Sequence, residues 1–154
     1  MAQLEDGTLV SARIVLVSKS DPNLTVDLSG GNGSELLLNG SGTGDTASFR
    51  MEFFIPNSPN ATTGTPVALN STATINDLDR NSPGDQEAVI LDADSFTAFA
   101  TAADTSLAVT QSGGTVTAAG REQNNPSDQD AWFSASFENR EFIEFTLEAR
   151  TTNS

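Results

Sequence analysis

This chain of 154 residues contains no cysteine, no histidine, no tyrosine and only one lysine. Without cysteine the fold cannot be stabilised by disulfide bonds. Without histidine or cysteine, nucleophilic sites of the Ser–His and Cys–His type are excluded, and zinc loses its usual ligands. Paired carboxylates could still hydrolyse glycosides, but glycosidases usually have aromatic subsites and a larger scaffold. We therefore predict that the protein is not an enzyme.

Basic residues are scarce as well. Seven Lys and Arg residues stand against 21 Asp and Glu residues, which gives a formal net charge of −14. Binding to nucleic acid or to anionic membrane surfaces requires clustered cationic side chains. Apolar runs of the roughly 18–20 residues that a membrane span needs are absent too. The sequence therefore predicts neither a nucleic-acid partner nor membrane insertion, and bound cations would relieve the self-repulsion of so acidic a molecule.

The composition that remains is polar and rich in turn-forming residues. Apolar residues make up 36% of the chain and charged residues 18%, and Ser, Thr, Asn, Asp and Gly supply much of the rest. The low density of charge argues against a disordered polyelectrolyte. A chain of this length can bury one hydrophobic core. We therefore predict a single folded domain over residues 1–154.

Alternation of apolar and polar residues predicts the strands. The clearest segments are residues 8–17, 24–28, 49–55, 131–137 and 143–150, and weaker ones are 35–39, 67–75, 87–91, 105–109 and 115–119. Clusters of Gly, Asn and Pro separate them, as in turns. About ten short strands at roughly regular spacing predict an all-β fold, an antiparallel β-sandwich of jelly-roll or Greek-key type.

Two further expectations concern the interior. In residues 94–103, Phe96 and Phe99 have helical spacing and Asp94 could cap a helix, so one short helix and a strand are equal alternatives there. Apolar residues of consistent phase on three strands are predicted to share one core between two sheets. They are Phe49, Met51, Phe53, Phe133, Phe137, Ile143, Phe145 and Leu147.

Several strings carry a family resemblance. They are ASFRMEFF at residues 47–54, PVALN at 66–70, INDLD at 75–79, EAV at 87–89, WFSASFEN at 132–139 and FIEFTL at 142–147. In this order they resemble the β-sandwich domains of exported bacterial surface proteins that carry a C-terminal sorting anchor. The resemblance implies a secreted protein with an extracellular or cell-surface location and an adhesive or structural role.

The densest group of possible metal ligands lies between two of the predicted strands. Asp77, Asp79 and Asn81 match the first three ligand positions of a calcium loop, and Glu87 offers further oxygens. Ser82 stands where the helix–loop–helix type needs Gly, and no helical pattern flanks the loop, so that type is excluded. Two alternatives remain, namely a calcium-binding loop at the edge of the sandwich and a solvated turn whose Asp side chains bond their own backbone.

A second acidic loop contains Asp128 and Asp130. Loops that are distant in sequence meet at one end of a Greek-key sandwich, so both loops could share one ion. The predicted metal ligands, for Ca²⁺ as the possible cofactor, are therefore Asp77, Asp79, Asn81, Glu87, Asp128 and Asp130.

Trp132 is the only tryptophan, and it is out of phase with the apolar residues of its predicted strand. Its side chain should therefore point to the opposite face. There the indole could bind a ligand by stacking on a sugar ring, or it could pack under a loop or an adjacent subunit. Packing is favoured, because a sugar-binding platform usually offers more than one aromatic ring.

These observations lead to three expected functions. The first is a non-catalytic extracellular structural or adhesive module, stabilised by calcium. The second is a carbohydrate-binding module. The third is a self-assembling subunit of a filament or surface layer, in which an apolar strand such as residues 8–17 adds to a neighbour's sheet. The expected partners are accordingly other protein subunits or surface glycans.

Overall fold

The structure, a computed structural model, describes residues 2–27, 37–39, 44–82 and 85–149. These residues form fourteen β-strands and one 3₁₀ turn. The all-β class is therefore confirmed, and the number of strands exceeds the ten expected because several strands have only two or three residues. The strands are β1 (Ala2–Gln3), β2 (Leu9–Lys19), β3 (Thr25–Asp27), β4 (Leu37–Asn39), β5 (Asp45–Pro56), β6 (Gly64–Pro66), β7 (Leu69–Ile75), β8 (Arg80–Ser82), β9 (Asp85–Asp92), β10 (Ala98–Ala100), β11 (Ala108–Ser112), β12 (Thr115–Ala119), β13 (Phe133–Arg140) and β14 (Phe142–Ala149).

The strands form two antiparallel sheets that pack together as a β-sandwich. The larger sheet has the order β1-β2-β5-β14-β9-β12-β11, with β6 paired to β5 and β8 paired to β9. The smaller sheet has the order β10-β13-β7, and β3 and β4 pair with each other as a separate two-stranded sheet. Within the described ranges, no helix has the length and apolar character that crossing a membrane would require.

Period-two alternation explains the main core. On β13, Phe133, Ala135 and Phe137 are buried, while the serines between them are only half-buried. This strand pairs with β7 and β10 and lays its apolar face on β9, β12 and β14 of the larger sheet. The buried members of this cluster are Phe53, Leu78, Val89, Leu91, Leu107, Val116, Ala118, Ala131, Phe133, Ala135, Phe137 and Ile143.

The prediction of one shared core was wrong in one respect, because Phe49 belongs to a second cluster with Leu24 and Ala47. Phe145 and Leu147 contact both clusters, and Phe145 stacks on Phe49 with ring centroids 5.6 Å apart. The smaller sheet has three strands and the larger one nine. The two-stranded sheet of β3 and β4 therefore covers apolar surface that the smaller sheet does not reach.

The helix alternative for residues 94–103 was also wrong, because strand β10 lies there. A turn precedes the strand, in which the Asp92 carboxylate accepts the Asp94 backbone N–H at 3.0 Å. Pairing with β13 then sets Phe99 opposite Ala135, and the Phe99 ring stacks on Phe133 at 5.5 Å. A helix would have lost this ladder and left the edge of β13 unpaired, so tertiary pairing overrides the local spacing.

Candidate functional site

The two acidic loops lie side by side, as the sandwich topology predicted. One loop follows β7 and the other precedes β13, and Ile75 at the end of β7 pairs with Phe133 at the start of β13. The second loop also begins directly after β12, where Ala119 pairs with Ala88 on β9. Antiparallel neighbours bring the end of one strand next to the start of the other. Register therefore sets the two loops at the same end of the molecule.

Asp79 and Asn124 tie these loops together. The Asp79 Oδ1 accepts the backbone N–H of Asn124 at 2.6 Å. The buried Asn124 amide donates to the carbonyl oxygens of Leu78 at 3.3 Å and Glu122 at 3.0 Å. The Arg80 backbone N–H donates to the same Glu122 carbonyl at 2.9 Å. One buried amide thus satisfies carbonyl groups from both loops.

Glu87 is the second predicted ligand that reaches this junction. Its Oε2 accepts the Asp79 backbone N–H at 3.2 Å, and its own backbone N–H donates to the Asp79 carbonyl at 2.9 Å. The Gly120 N–H donates to the Glu87 carbonyl at 3.0 Å. A side chain at position 120 would overlap the carbonyl oxygen of Leu78 and the backbone of Asp79. Glycine therefore permits the close approach of the two loops.

The other predicted ligands have separate surroundings. The Asp128 Oδ2 accepts the backbone N–H of Asn125 at 2.9 Å and its side-chain amide at 3.2 Å. The backbone carbonyl of Asp130 accepts the Thr105 hydroxyl at 2.7 Å. Asp77 has a positive φ of 62°, and its Oδ1 is shielded from solvent. Asn81 is exposed on β8.

The structure therefore brings Asp79 and Glu87 together but does not gather the whole predicted ligand set. Within the described ranges, no group of three or more Asp and Glu side chains is arranged to hold a metal ion. The bond of Asp128 to the backbone of Asn125 lies within one loop, as the turn alternative expects, whereas Asp79 bonds the backbone of the other loop and Glu87 bonds the backbone of Asp79. A carboxylate has about four acceptor positions, so a backbone bond to one oxygen does not prevent the same group from binding Ca²⁺. The calcium site stays a prediction.

Trp132 lies outside β13, which begins one residue later. Residues Gln129–Ala131 form the 3₁₀ turn instead of the strand predicted from residue 131. The half-buried indole donates its Nε1–H to the Pro126 carbonyl at 3.1 Å, and the Asn76 amide donates to the same oxygen at 3.3 Å. These contacts fit packing against a loop, the favoured of the two interpretations of this side chain.

Sequence reasoning missed a charged ladder on the outer face of the larger sheet. Arg13 pairs with Glu52 at 2.6 Å, and Arg50 pairs with Glu144 at 2.6 Å. The Arg50 guanidinium also lies 4.3 Å from the centre of the Phe142 ring. These contacts depend on strand register, which sets Arg13 opposite Glu52 and Arg50 opposite Glu144. No local pattern in the sequence could have revealed them.

A further feature of the larger sheet is an open side on strand β2. β2 pairs with β5 on one side, and on the other side β1 pairs only with Leu9 and Val10. Across the described part of the chain, no strand pairs with residues 11–19 on that side. Leu16 and Val17 in this segment are 41% and 52% exposed. The sequence predicted a strand over residues 8–17 and offered it for addition to a neighbour's sheet, but only the observed strand pairing shows which of its residues lie on an open side.

Among the hollows on the described surface, one of about 260 Å³ lies beside Glu52 and Phe142, and one of about 390 Å³ lies beside Phe96 and Gln111. Ligand pockets usually have 300–1,000 Å³, so the first falls below this range and the second near its lower end. The second is lined by no charged side chain.

Comparisons of this chain with protein-family models, with curated proteins and with solved structures gave no match.

Proposed function

We propose that this protein is a non-catalytic structural or adhesive module of the extracellular space or cell surface, and that it attaches to other protein subunits through the open side of β2, near one edge of its larger sheet. The observation that carries the proposal is the side of β2 over residues 11–19 with which none of the described strands pairs. An exposed edge presents a row of backbone N–H and C=O groups that can accept another strand. The exposed side chains of Leu16 and Val17 would add apolar contacts to that ladder.

A second candidate function is that of a self-assembling subunit. The mode of binding would be the same, and the partner would be a second copy of the chain. This candidate is supported by the charge of β2. Residues 7–20 contain Arg13 and Lys19 but no acidic residue, in a molecule with a net charge of −14. A segment without acids that carries two basic residues adds little repulsion when two such molecules meet there.

The alternative of a carbohydrate-binding module has less support. Its candidate platform, Trp132, uses its indole N–H to hold the loop at Pro126. Calcium belongs to the proposal as a stabilising ion of the two acidic loops. It is supported by the proximity of Asp79 and Glu87 and by the relief of repulsion that a divalent cation gives to grouped carboxylates.

The edge proposal is tested with a fluorescent peptide that has the sequence of residues 9–19. The peptide should bind the protein, and fluorescence anisotropy measures the binding. A control peptide with proline at the positions of Arg13 and Val15 should not bind, since proline has no N–H and disrupts strand pairing. Equal binding of both peptides, or of neither, would contradict the proposal.

A glycan array gives the decisive measurement for the alternative. The structural proposal expects no specific glycan binding. Binding that is retained by the wild type and lost in Trp132→Ala would instead establish the carbohydrate-binding function.

A further inference from the structure

We propose that β2 pairs with β2 of a second copy, antiparallel and around a two-fold axis at Ile14, to form a closed dimer with one continuous sheet. This inference rests on the self-assembly proposal above and names its partner and its register. It predicts that Ala12 of each copy lies opposite Leu16 of the other, and that Arg13 lies opposite Val15.

The length of the open edge limits the ladder. β1 covers Leu9 and Val10, so pairing with another molecule can begin only at Ser11. At the other end, the ladder between β2 and β5 shifts register between Leu16 and Ser18, and Val17 is the extra residue. Such bulges bend a strand and interrupt pairing. The regular open segment is therefore residues 11–16.

Only a few registers keep the same faces together. In an antiparallel pair, residues that lie directly opposite each other project to the same face of the joint sheet. When a two-fold axis relates the two strands, this condition places the axis at one residue, which then lies opposite its own copy. An axis at Arg13 would set two arginines directly opposite each other, which is unfavourable. An axis at Val15 would pair Arg13 with the irregular Val17. An axis at Ile14 avoids both and uses the regular segment best.

The side chains in this register complement one another. Ala12, Ile14 and Leu16 lie on the core-facing side of β2, since they pair with Phe53, Met51 and Phe49 of β5. Ala12 and Leu16 are both exposed, and a small residue opposite a large one lets the leucine be covered without overlap. Covering apolar surface of this kind supplies the driving force for association.

The charges of β2 do not oppose this contact. The Arg13 guanidinium is paired with the Glu52 carboxylate at 2.6 Å. The Lys19 ammonium donates to the carbonyl oxygens of Pro22 at 3.0 Å and Leu24 at 2.8 Å, so it is directed toward its own loop. Repulsion therefore comes from the rest of the two acidic molecules, and salt screens it. We expect a weak, reversible dimer that is tighter at high ionic strength.

Sedimentation velocity over a range of protein concentrations tests the dimer, in 0.05 M and 0.5 M NaCl. The wild type should show a monomer–dimer equilibrium that shifts toward dimer at the higher salt. Leu16→Lys should weaken dimerisation by about tenfold, which corresponds to roughly 1.4 kcal/mol. The matched control is Ile55→Lys, because Ile55 is 38% exposed on β5, away from the open edge. It should dimerise like the wild type.

Cysteine cross-linking tests the register. Because the chain has no native cysteine, any disulfide must form between the introduced residues. A mixture of Ala12→Cys and Leu16→Cys proteins should form a disulfide-linked heterodimer, whereas Ala12→Cys mixed with Ser18→Cys should not. A 12–18 cross-link, or an open series of larger oligomers, would overturn the two-fold register but leave self-assembly intact. A wild type that stays monomeric at every concentration and salt would overturn both. Peptide binding at the edge is measured separately and would still stand.

Discussion

Asp79 and Asn124 are 45 positions apart in the sequence, yet the Asp79 carboxylate accepts the Asn124 backbone N–H at 2.6 Å. This bond joins the loop after β7 to the loop before β13. The buried side chain of Asn124 then bonds carbonyl groups of both loops. An acidic side chain that the sequence offered as a metal ligand thus has a structural role in the folded chain.

Removal of this carboxylate should destabilise the protein. We expect Asp79→Ala to lower the free energy of unfolding by about 1–3 kcal/mol, because it leaves a partly buried N–H without its acceptor. Asp79→Asn retains an acceptor oxygen and should cost less. Urea denaturation measures both, with Asp104→Ala as the control, since Asp104 is an exposed acid in a neighbouring turn. Equal stability of Asp79→Ala and the control would show that the bond contributes nothing.

The contact of Gly120 with the Asp79 loop gives a second prediction. Gly120→Ala should cost about 3 kcal/mol or more, because the new methyl group would overlap backbone atoms that are held by hydrogen bonds. Gly113→Ala is the comparison, since its methyl group would meet no atom within 4 Å and only the positive φ of 59° opposes it. That strain costs about 1–2 kcal/mol. A smaller loss at Gly120 than at Gly113, measured by urea denaturation, would contradict the close approach.

The division of the core into two clusters predicts that three phenylalanine-to-alanine substitutions lower the free energy of unfolding by different amounts. Phe49→Ala should cost about 3–5 kcal/mol, because Phe49 is fully buried in the second cluster. Phe145→Ala should cost about 3 kcal/mol, since its half-buried ring bridges the clusters. Phe142→Ala should cost less than about 1 kcal/mol, because its ring is 41% exposed on the outer face. Urea denaturation of the three variants ranks them, and a loss below about 1 kcal/mol for Phe49→Ala would refute its place in a core.

Calcium is tested by thermal unfolding. If the loops bind Ca²⁺ as predicted, the midpoint should rise at millimolar Ca²⁺, by an amount equivalent to about 2.7 kcal/mol at one hundred times the dissociation constant. The rise should shrink in Asp77→Asn combined with Asp79→Asn, and Mg²⁺ should act more weakly because it resists dehydration. Addition of a chelator gives the control. If neither Ca²⁺ nor the chelator changes the midpoint of thermal unfolding, the loops are hydrogen-bonded turns that bind no calcium.

The sequence by itself determined the fold class and the faces of the main strands. On β13, alternation correctly predicted that Phe133, Ala135 and Phe137 are buried, because a strand directs successive side chains to opposite faces whatever its neighbours are. The rule that sandwich loops meet at one end correctly predicted that the two acidic loops lie together. Neither inference required knowledge of which strands pair.

Only the tertiary structure decided the features that depend on pairing. The spacing of Phe96 and Phe99 was compatible with helix and strand, and the open edge of β13 selected the strand. The ion pair of Arg13 with Glu52 follows from the register of β2 on β5, and the division of the core follows from the limited reach of the smaller sheet. The backbone N–H that the Asp79 carboxylate accepts comes from a loop that strand pairing places beside it. Alternation is a local property of the chain, whereas register, edges and hydrogen-bond partners are set by contacts between distant segments.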